Sequence, residues 1–172
     1  WQDSKYGTIA NVLILVVAIA GIAQLKFRNN FNNDVQTIFL SKPTTAMLTG
    51  RDIEHLPLPI IKYLHYTRVI GKPKVYNLYA SFNGVIRSKT SEWMGLQSEQ
   101  YNAVNVPSRF FFMDATMKHF PVAGYHCYKN GNASMDIRLL SLLRVEHQDG
   151  NELNEAETVT FFNDMCCLAP AT

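Results

Sequence analysis

The stretch "KVYNLYASFNGVIRSK", residues 74–89, decides the fold, because here the spacing of apolar residues changes to a period of two. Leu78, Ala80, Phe82 and Ile86 share one side while Asn77, Ser81 and Asn83 take the other, the pattern of a half-buried strand. Further strands are predicted at Trp93 to Asn102, Arg109 to Met117, Gly124 to Tyr128, Ala133 to Leu140 and Leu142 to His147. They are separated by "KTSE", "NVPS", "HFPVAG" and "KNGN", and the last is a good hairpin turn because asparagine and glycine tolerate positive φ. Consecutive strands at short spacing without intervening helices imply an antiparallel sheet of hairpins, and with the flanking helices an α+β fold.

Working toward the N-terminus, "PIIKYLHYTRVIG" reads as a helix with Pro59 in its first turn, Ile61, Leu64, His65 and Arg68 on one face, and Gly71 as its stop. Before it, Thr49 caps "GRDIEH" with Asp52 at the third position, and Pro57 ends the run. The segment "RNNFNND" is asparagine-rich and reads as a polar tether. The domain plan is a loop over residues 1–6, a transmembrane helix over 7–25, a tether over 26–48 and an α+β domain over 49–172.

"GTIANVLILVVAIAGIAQL", Gly7 to Leu25, carries no charge, and a bilayer-spanning helix needs about 20 apolar residues. A signal peptide would have a shorter apolar run behind a basic leader, whereas Asp3 and Lys5 precede this one. Lys26 and Arg28 follow the span and Lys5 precedes it, a weak charge bias that puts the domain on the cytoplasmic side. The chain opens on Trp1 rather than methionine and stops just after an apolar helix, so a longer parent protein is expected.

The totals exclude several classes of function. With 172 residues, 47% of them hydrophobic and 17% charged, the chain can bury one ordinary core. Its 16 basic and 14 acidic residues are scattered, so no basic stripe announces a nucleic-acid partner. The three cysteines form neither a disulfide framework nor a CxxC zinc pattern. His55, His65, His119, His126 and His147 stand singly, so no metal site and no cofactor are expected. The sequence has no GxSxG, P-loop or dinucleotide-binding fingerprint, and no internal repeat.

"NELNEAETVTFFNDMCCLAP" reads as a helix with Asn154 as N-cap, Glu157 completing a capping box and Pro170 as its end. Val159, Phe162, Cys166 and Ala169 form one apolar row, and Phe161, Met165 and Leu168 a second. Glu157, Thr160, Asp164 and Cys167 fall in the remaining polar stripe. Successive helical side chains diverge by about 100°, so Cys166 and Cys167 read as a packing residue and a border residue rather than a reactive pair. A nearby Asp164 would raise the Cys167 pKa, which argues against a nucleophile.

"EWMGLQSEQYN" and "SRFFFMDATMKHF" have apolar residues on both strand faces, so the sheet is either covered on both sides or lines an apolar cavity. The bland reading is simple core. The sharper one is a ligand groove lined by Trp93, Tyr101, Phe110, Phe112 and Met135, with Gln100, Arg109 and Asp114 at its rim.

"KYLHYTRVIGKPKV", "EWMGLQSEQYN", "FFMDATMKHFPVAGYHCYKNGNASMDIRLLSLLRVE" and "ETVTFFNDMCCLAPAT" resemble a family of bacterial membrane-attached proteins known as a domain of unknown function. The likeness covers about Leu56 to Thr172, and in one subgroup "WQDSKYGTIAN" resembles the link between two membrane helices of a small N-terminal bundle. The resemblance implies a bacterial inner-membrane location and further strands beyond Thr172. Its pattern is similar to the open half-barrels of lipoprotein carriers, where a curved antiparallel sheet wraps an apolar groove around helices. The chain departs from the family at Gly95-Leu96, where Pro-Phe is common, and at His65 and Cys127, where arginine is frequent. The resemblance supplies no catalytic residues.

The leading expectation is thus a membrane-anchored domain that binds an apolar or lipid-like ligand, or a membrane partner, without covalent chemistry. The alternatives are an envelope hydrolase using Glu99, Asp114, Asp136 or His126 as acid or base, and a structural module docked to neighbouring membrane helices.

Overall fold

The computed structural model describes residues 2–39, 46–87, 89 and 92–172. In chain order the elements are α1 (Gln2–Phe39), α2 (Gly50–Ile53), α3 (Leu58–Tyr66), β1 (Asn77–Ile86), β2 (Met94–Ala103), β3 (Ser108–Met117), β4 (Phe120–Lys129), β5 (Asn132–Leu139), β6 (Leu143–Asp149) and α4 (Asn151–Leu168). The six strands pair in sequence order, each antiparallel to the next, in an open sheet. Among the described residues β1 and β6 have a neighbour strand on one side only.

The expected strands are all present, and β4 begins earlier than expected. "HFPVAG" is not a loop: Met117 pairs with Phe120 across a two-residue turn in which Lys118 and His119 have φ of 47° and 73°. Asn130 and Gly131 form the expected turn with φ of 52° and 79°. The β5–β6 connection runs through Leu140 and Ser141, also at positive φ. Of the expected "KTSE" turn, Thr90 and Ser91 lie outside the described residues.

α1 is the main correction. The helix starts at Gln2, where a loop was expected, and continues without a break through residues 26–39, where a tether was expected; residues 40–45 lie outside the described residues. Phe27, Phe31, Val35 and Ile38 recur at helical spacing, and burying that row on the sheet outweighs the weak helix propensity of the intervening asparagines. Residues 5–19 of α1 are exposed, and the helix is long and apolar enough to cross a membrane by length and composition.

The core thus lies in layers. Phe27, Phe31 and Ile38 of α1 pack with Ala103, Phe110, Phe112, Ala123 and Tyr125 on one face of the sheet. On the other face Phe161 of α4 packs with Tyr128 and Ala133. A third cluster joins Leu48, Ile53, Leu64 and Ala171 below α2 and α3. Thr49 caps α2 as expected, its backbone N–H donating to Asp52 at 2.7 Å. α3 ends at Tyr66, short of Gly71, because Arg68 turns to φ 57°.

α4 starts earlier than expected, with Gly150 (φ 97°) as its N-cap. Asn154 is therefore inside the helix, and its Oδ1 accepts the backbone N–H of Ala133 at 2.7 Å instead of capping. Glu157 points into the sheet rather than back along the helix. The row assignment holds for Phe161 and Ala169, which are buried, and fails for Val159 and Phe162, which are exposed, and for Glu157 of the expected polar stripe, which is buried.

Candidate functional site

Beneath α4 lies a polar cluster built from alternate residues of β2 and β3 and from one face of the helix. Gln100 and Asn102 sit two apart on β2, so both side chains take the α4 side, and Arg109 is the cross-strand partner of Asn102. Glu157 and Asp164 are seven apart on α4 with Phe161 between them, so all three meet the sheet.

All three nitrogens of the Arg109 guanidinium are engaged. Nε donates to Asp164 Oδ2 at 2.9 Å, Nη1 to Glu157 Oε2 at 3.1 Å and Nη2 to Gln100 Oε1 at 3.1 Å. Asp164 Oδ2 also accepts from Gln100 Nε2 at 2.7 Å and Asn102 Nδ2 at 3.1 Å. His126 Nδ1 stands 3.5 Å from Glu157 Oε1 and supplies a second cation when protonated. Burial alone would push the Glu157 carboxyl up, but His126 and Arg109 outweigh it and hold Glu157 below its ordinary range. One guanidinium and two side-chain amides thus hold both carboxylates, and the cluster clamps α4 to the sheet.

The opposite face is aromatic. Phe112 meets Phe27 and Phe31 at ring distances of 5.6 and 5.4 Å, and Phe31 meets Tyr101 at 5.9 Å. The Arg28 guanidinium lies 4.6 Å from the Phe112 ring and pairs with Glu99, and Gln24 Nε2 donates to Asp114 at 3.0 Å. Arg28 thereby has its charge met by a carboxylate of the sheet, which weakens the charge bias across the span. Tyr125 donates to Asp34 at 2.7 Å.

The candidate groove residues therefore do not share one surface. Tyr101, Phe110, Phe112 and Asp114 face α1, and Phe27 and Phe31 occupy the space they would have lined. Gln100 and Arg109 lie under α4, and Met135, the register partner of His126, is on that face as well. Trp93 is exposed in the β1–β2 loop, with Arg87 4.5 Å from its ring. Of the acid-base candidates, Glu99 pairs with Arg28, His126 faces Glu157, Asp114 takes Gln24, and Asp136 holds both Arg138 and Arg144 at 2.6 and 3.1 Å. Burial opposes but the two guanidiniums prevail, so Asp136 titrates below its ordinary range. Asp136 lines a polar cleft of about 410 Å³ beside α1 with Asp34, Tyr125 and His147.

An apolar groove of about 620 Å³ opens elsewhere, between α3 and the C-terminal half of α4. Ile60, Tyr63 and Leu64 form one wall, Phe162, Met165 and Cys166 the other, and Val104 of the β2–β3 loop joins them, with no charged side chain in the lining. The Tyr63 hydroxyl donates to the Cys166 carbonyl and ties the walls together. Cys166 is half-buried, its thiol pKa pushed up by burial, and Cys167 is exposed. The pair is thus divided between groove and solvent, as the helical angle requires. No group of three potential metal ligands occurs among the described residues.

Sequence reasoning missed Phe27 and Phe31, though their four-residue spacing was available to find them. It also missed Phe162 as groove lining, having placed it in the core row.

Fold and site together define an α+β domain with a long apolar N-terminal helix and an apolar groove. The chain belongs to the family of unknown function DUF6544, whose sequence profile matches residues 46–172. No curated protein and no solved structure matches the chain.

Proposed function

We propose that this is a membrane-anchored domain that binds an apolar or lipid-like ligand in the groove between α3 and α4, with α1 as its anchor. The observation that carries the reading is the groove itself: about 620 Å³, within the usual range for small-molecule sites, with an uncharged and mainly apolar lining. Such a lining gains affinity from apolar surface removed from water and repels charged occupants. The site differs from the sheet groove expected from sequence, which α1 fills.

The two guanidiniums that hold Asp136 below its ordinary range weigh against it as the proton donor of the hydrolase alternative. An interaction module remains a second reading, supported by the unbroken α1, which couples the sheet stiffly to any helices packed against the span.

The test is native mass spectrometry of the gently purified full chain, with extraction and identification of what travels with it. The expected result is a stoichiometric apolar molecule that disappears in Ile60→Asn/Phe162→Asn. A folded chain that is empty, and stays empty when offered phospholipids and fatty acids, refutes the proposal.

A further inference from the structure

The contacts of α1 fix which end of the sheet faces its apolar half. Thr37 accepts from Lys129, Asp34 from Tyr125, Arg28 reaches Glu99, and Gln24 bonds both Asp114 and Ser141. Thr37 back to Gln24 is about 20 Å of helix. Lys129 back to Ala123, the register partner of Asp114, is about 20 Å of strand. The helix therefore lies along the strands, and its apolar half leaves the domain at the end bearing the β1–β2, β3–β4 and β5–β6 connections.

Those three tips carry exposed apolar side chains that nothing in the fold requires: Ile86, Trp93, Met117, Phe120, Leu142 and Leu143, with Trp93 59% and Leu143 61% exposed. At the opposite end the hairpin turns themselves offer only Val106 and the polar Asn130-Gly131 turn, and the exposed apolar residues there, Leu58 and Tyr66, belong to α3 beside the apolar groove. Height matches as well as direction. Met117 lies three residues beyond Asp114, about 10 Å along β3, which equals about seven residues of α1 and brings the tip level with Val17. Ala20 and Ala23 are already half-buried, whereas residues 5–19 are exposed. Basic residues accompany the apolar ones: Arg87, Lys89 and Lys118 against Glu92.

A tryptophan, a phenylalanine and aliphatic side chains beside lysine and arginine suit the boundary between headgroups and acyl chains, where aromatic rings and basic side chains both find partners. The backbone of the turns stays satisfied there by headgroups and water, which the hydrocarbon centre would not permit. We infer that the three hairpin tips dock into the interfacial layer of the same bilayer that α1 crosses, so the sheet stands upright on the membrane. The inference rests on the anchoring reading and adds to it a contact made by the sheet; anionic phospholipids, which the basic residues favour, strengthen that contact.

Trp1 and Trp93 are the two tryptophans, so Trp1→Phe leaves Trp93 as the sole tryptophan, excited selectively at the red edge beyond tyrosine absorption. The full-length Trp1→Phe chain is reconstituted into phosphatidylcholine and phosphatidylglycerol vesicles with lipids brominated near the top of the acyl chains. The expected result is blue-shifted Trp93 emission, quenched at least twofold by the brominated lipids. Phe120→Asp/Leu143→Asp should relieve the quenching without changing the thermal midpoint, since both side chains are exposed. Tyr66→Trp in a Trp1→Phe/Trp93→Phe chain reports from exposed α3, beside the β2–β3 loop end, and should emit as in water. Unquenched, water-like Trp93 emission from a chain that resists alkaline carbonate extraction overturns the docking and leaves the anchor standing. Release by carbonate overturns both, and equal quenching of the α3 reporter overturns the upright orientation.

Discussion

Removing the Arg109 guanidinium leaves Glu157 and Asp164 facing each other beneath α4 with their main cation gone. A buried pair broken on one side costs about 3–5 kcal/mol, because the remaining charge is desolvated without compensation. Arg109→Ala is therefore expected to lower the urea midpoint markedly at unchanged m-value, as measured by far-UV circular dichroism. Arg109→Lys should recover only part of the loss, since one ammonium cannot serve Asp164, Glu157 and Gln100 in the fork geometry. Acid sensitivity follows from the same cluster. The folded pKa of Glu157 is lowered from 4.5, so its contribution is fully present above that value and is lost as pH falls through the folded pKa. Thermal midpoints recorded from pH 7 down to pH 3 should drop steeply below about 4.5. Glu157→Gln should flatten that limb, and an unchanged slope would show that other carboxylates govern it. None of this pairing was legible in sequence: Gln100 and Arg109 read as the rim of a ligand groove and Asp164 as a neighbour of Cys167, and only the tertiary fold brings positions 55 and 64 residues apart into contact.

At the scale of elements, α1 is the instructive case. Its first half announces itself by composition, its second half only by spacing. "RNNFNND" looks like a connector if one counts asparagines and like a helix if one follows Phe27, Phe31, Val35 and Ile38. The strands were legible because alternation survives even in the exposed β1, whereas two turns were not. Lys118-His119 and Leu140-Ser141 hold positive φ without glycine or asparagine, which leaves no turn signature to read. The family profile begins at residue 46, after α1, yet Phe110, Phe112 and Tyr125 need Phe27 and Phe31 as cover. Residues 46–172 expressed alone should therefore bind a hydrophobic dye and aggregate, while residues 20–172 should be monodisperse by gel filtration. A well-behaved, dye-negative 46–172 piece would show that the α1 contact is dispensable.

At the scale of the whole molecule, the layers put α1 on one face of the sheet and α4 on the other, and leave the apolar groove at the end away from the apolar half of α1. The α+β class follows from periodicity alone, but which face each helix covers depends on side chains far apart in sequence. That distance has a consequence for how the chain is made. α1 is synthesised before the sheet it packs on, and Gln24 waits for Asp114, 90 residues later, and for Ser141, 117 residues later. At roughly 5–20 residues per second, the Phe27 and Phe31 row stays uncovered for on the order of 5–20 seconds during translation. The exposed Asn29, Asn30, Asn32 and Asn33 flank that row throughout the wait, and their amides favour water over an apolar environment. The asparagines that disguise the helix in the sequence thus keep its second half solvated until the sheet arrives to cover it.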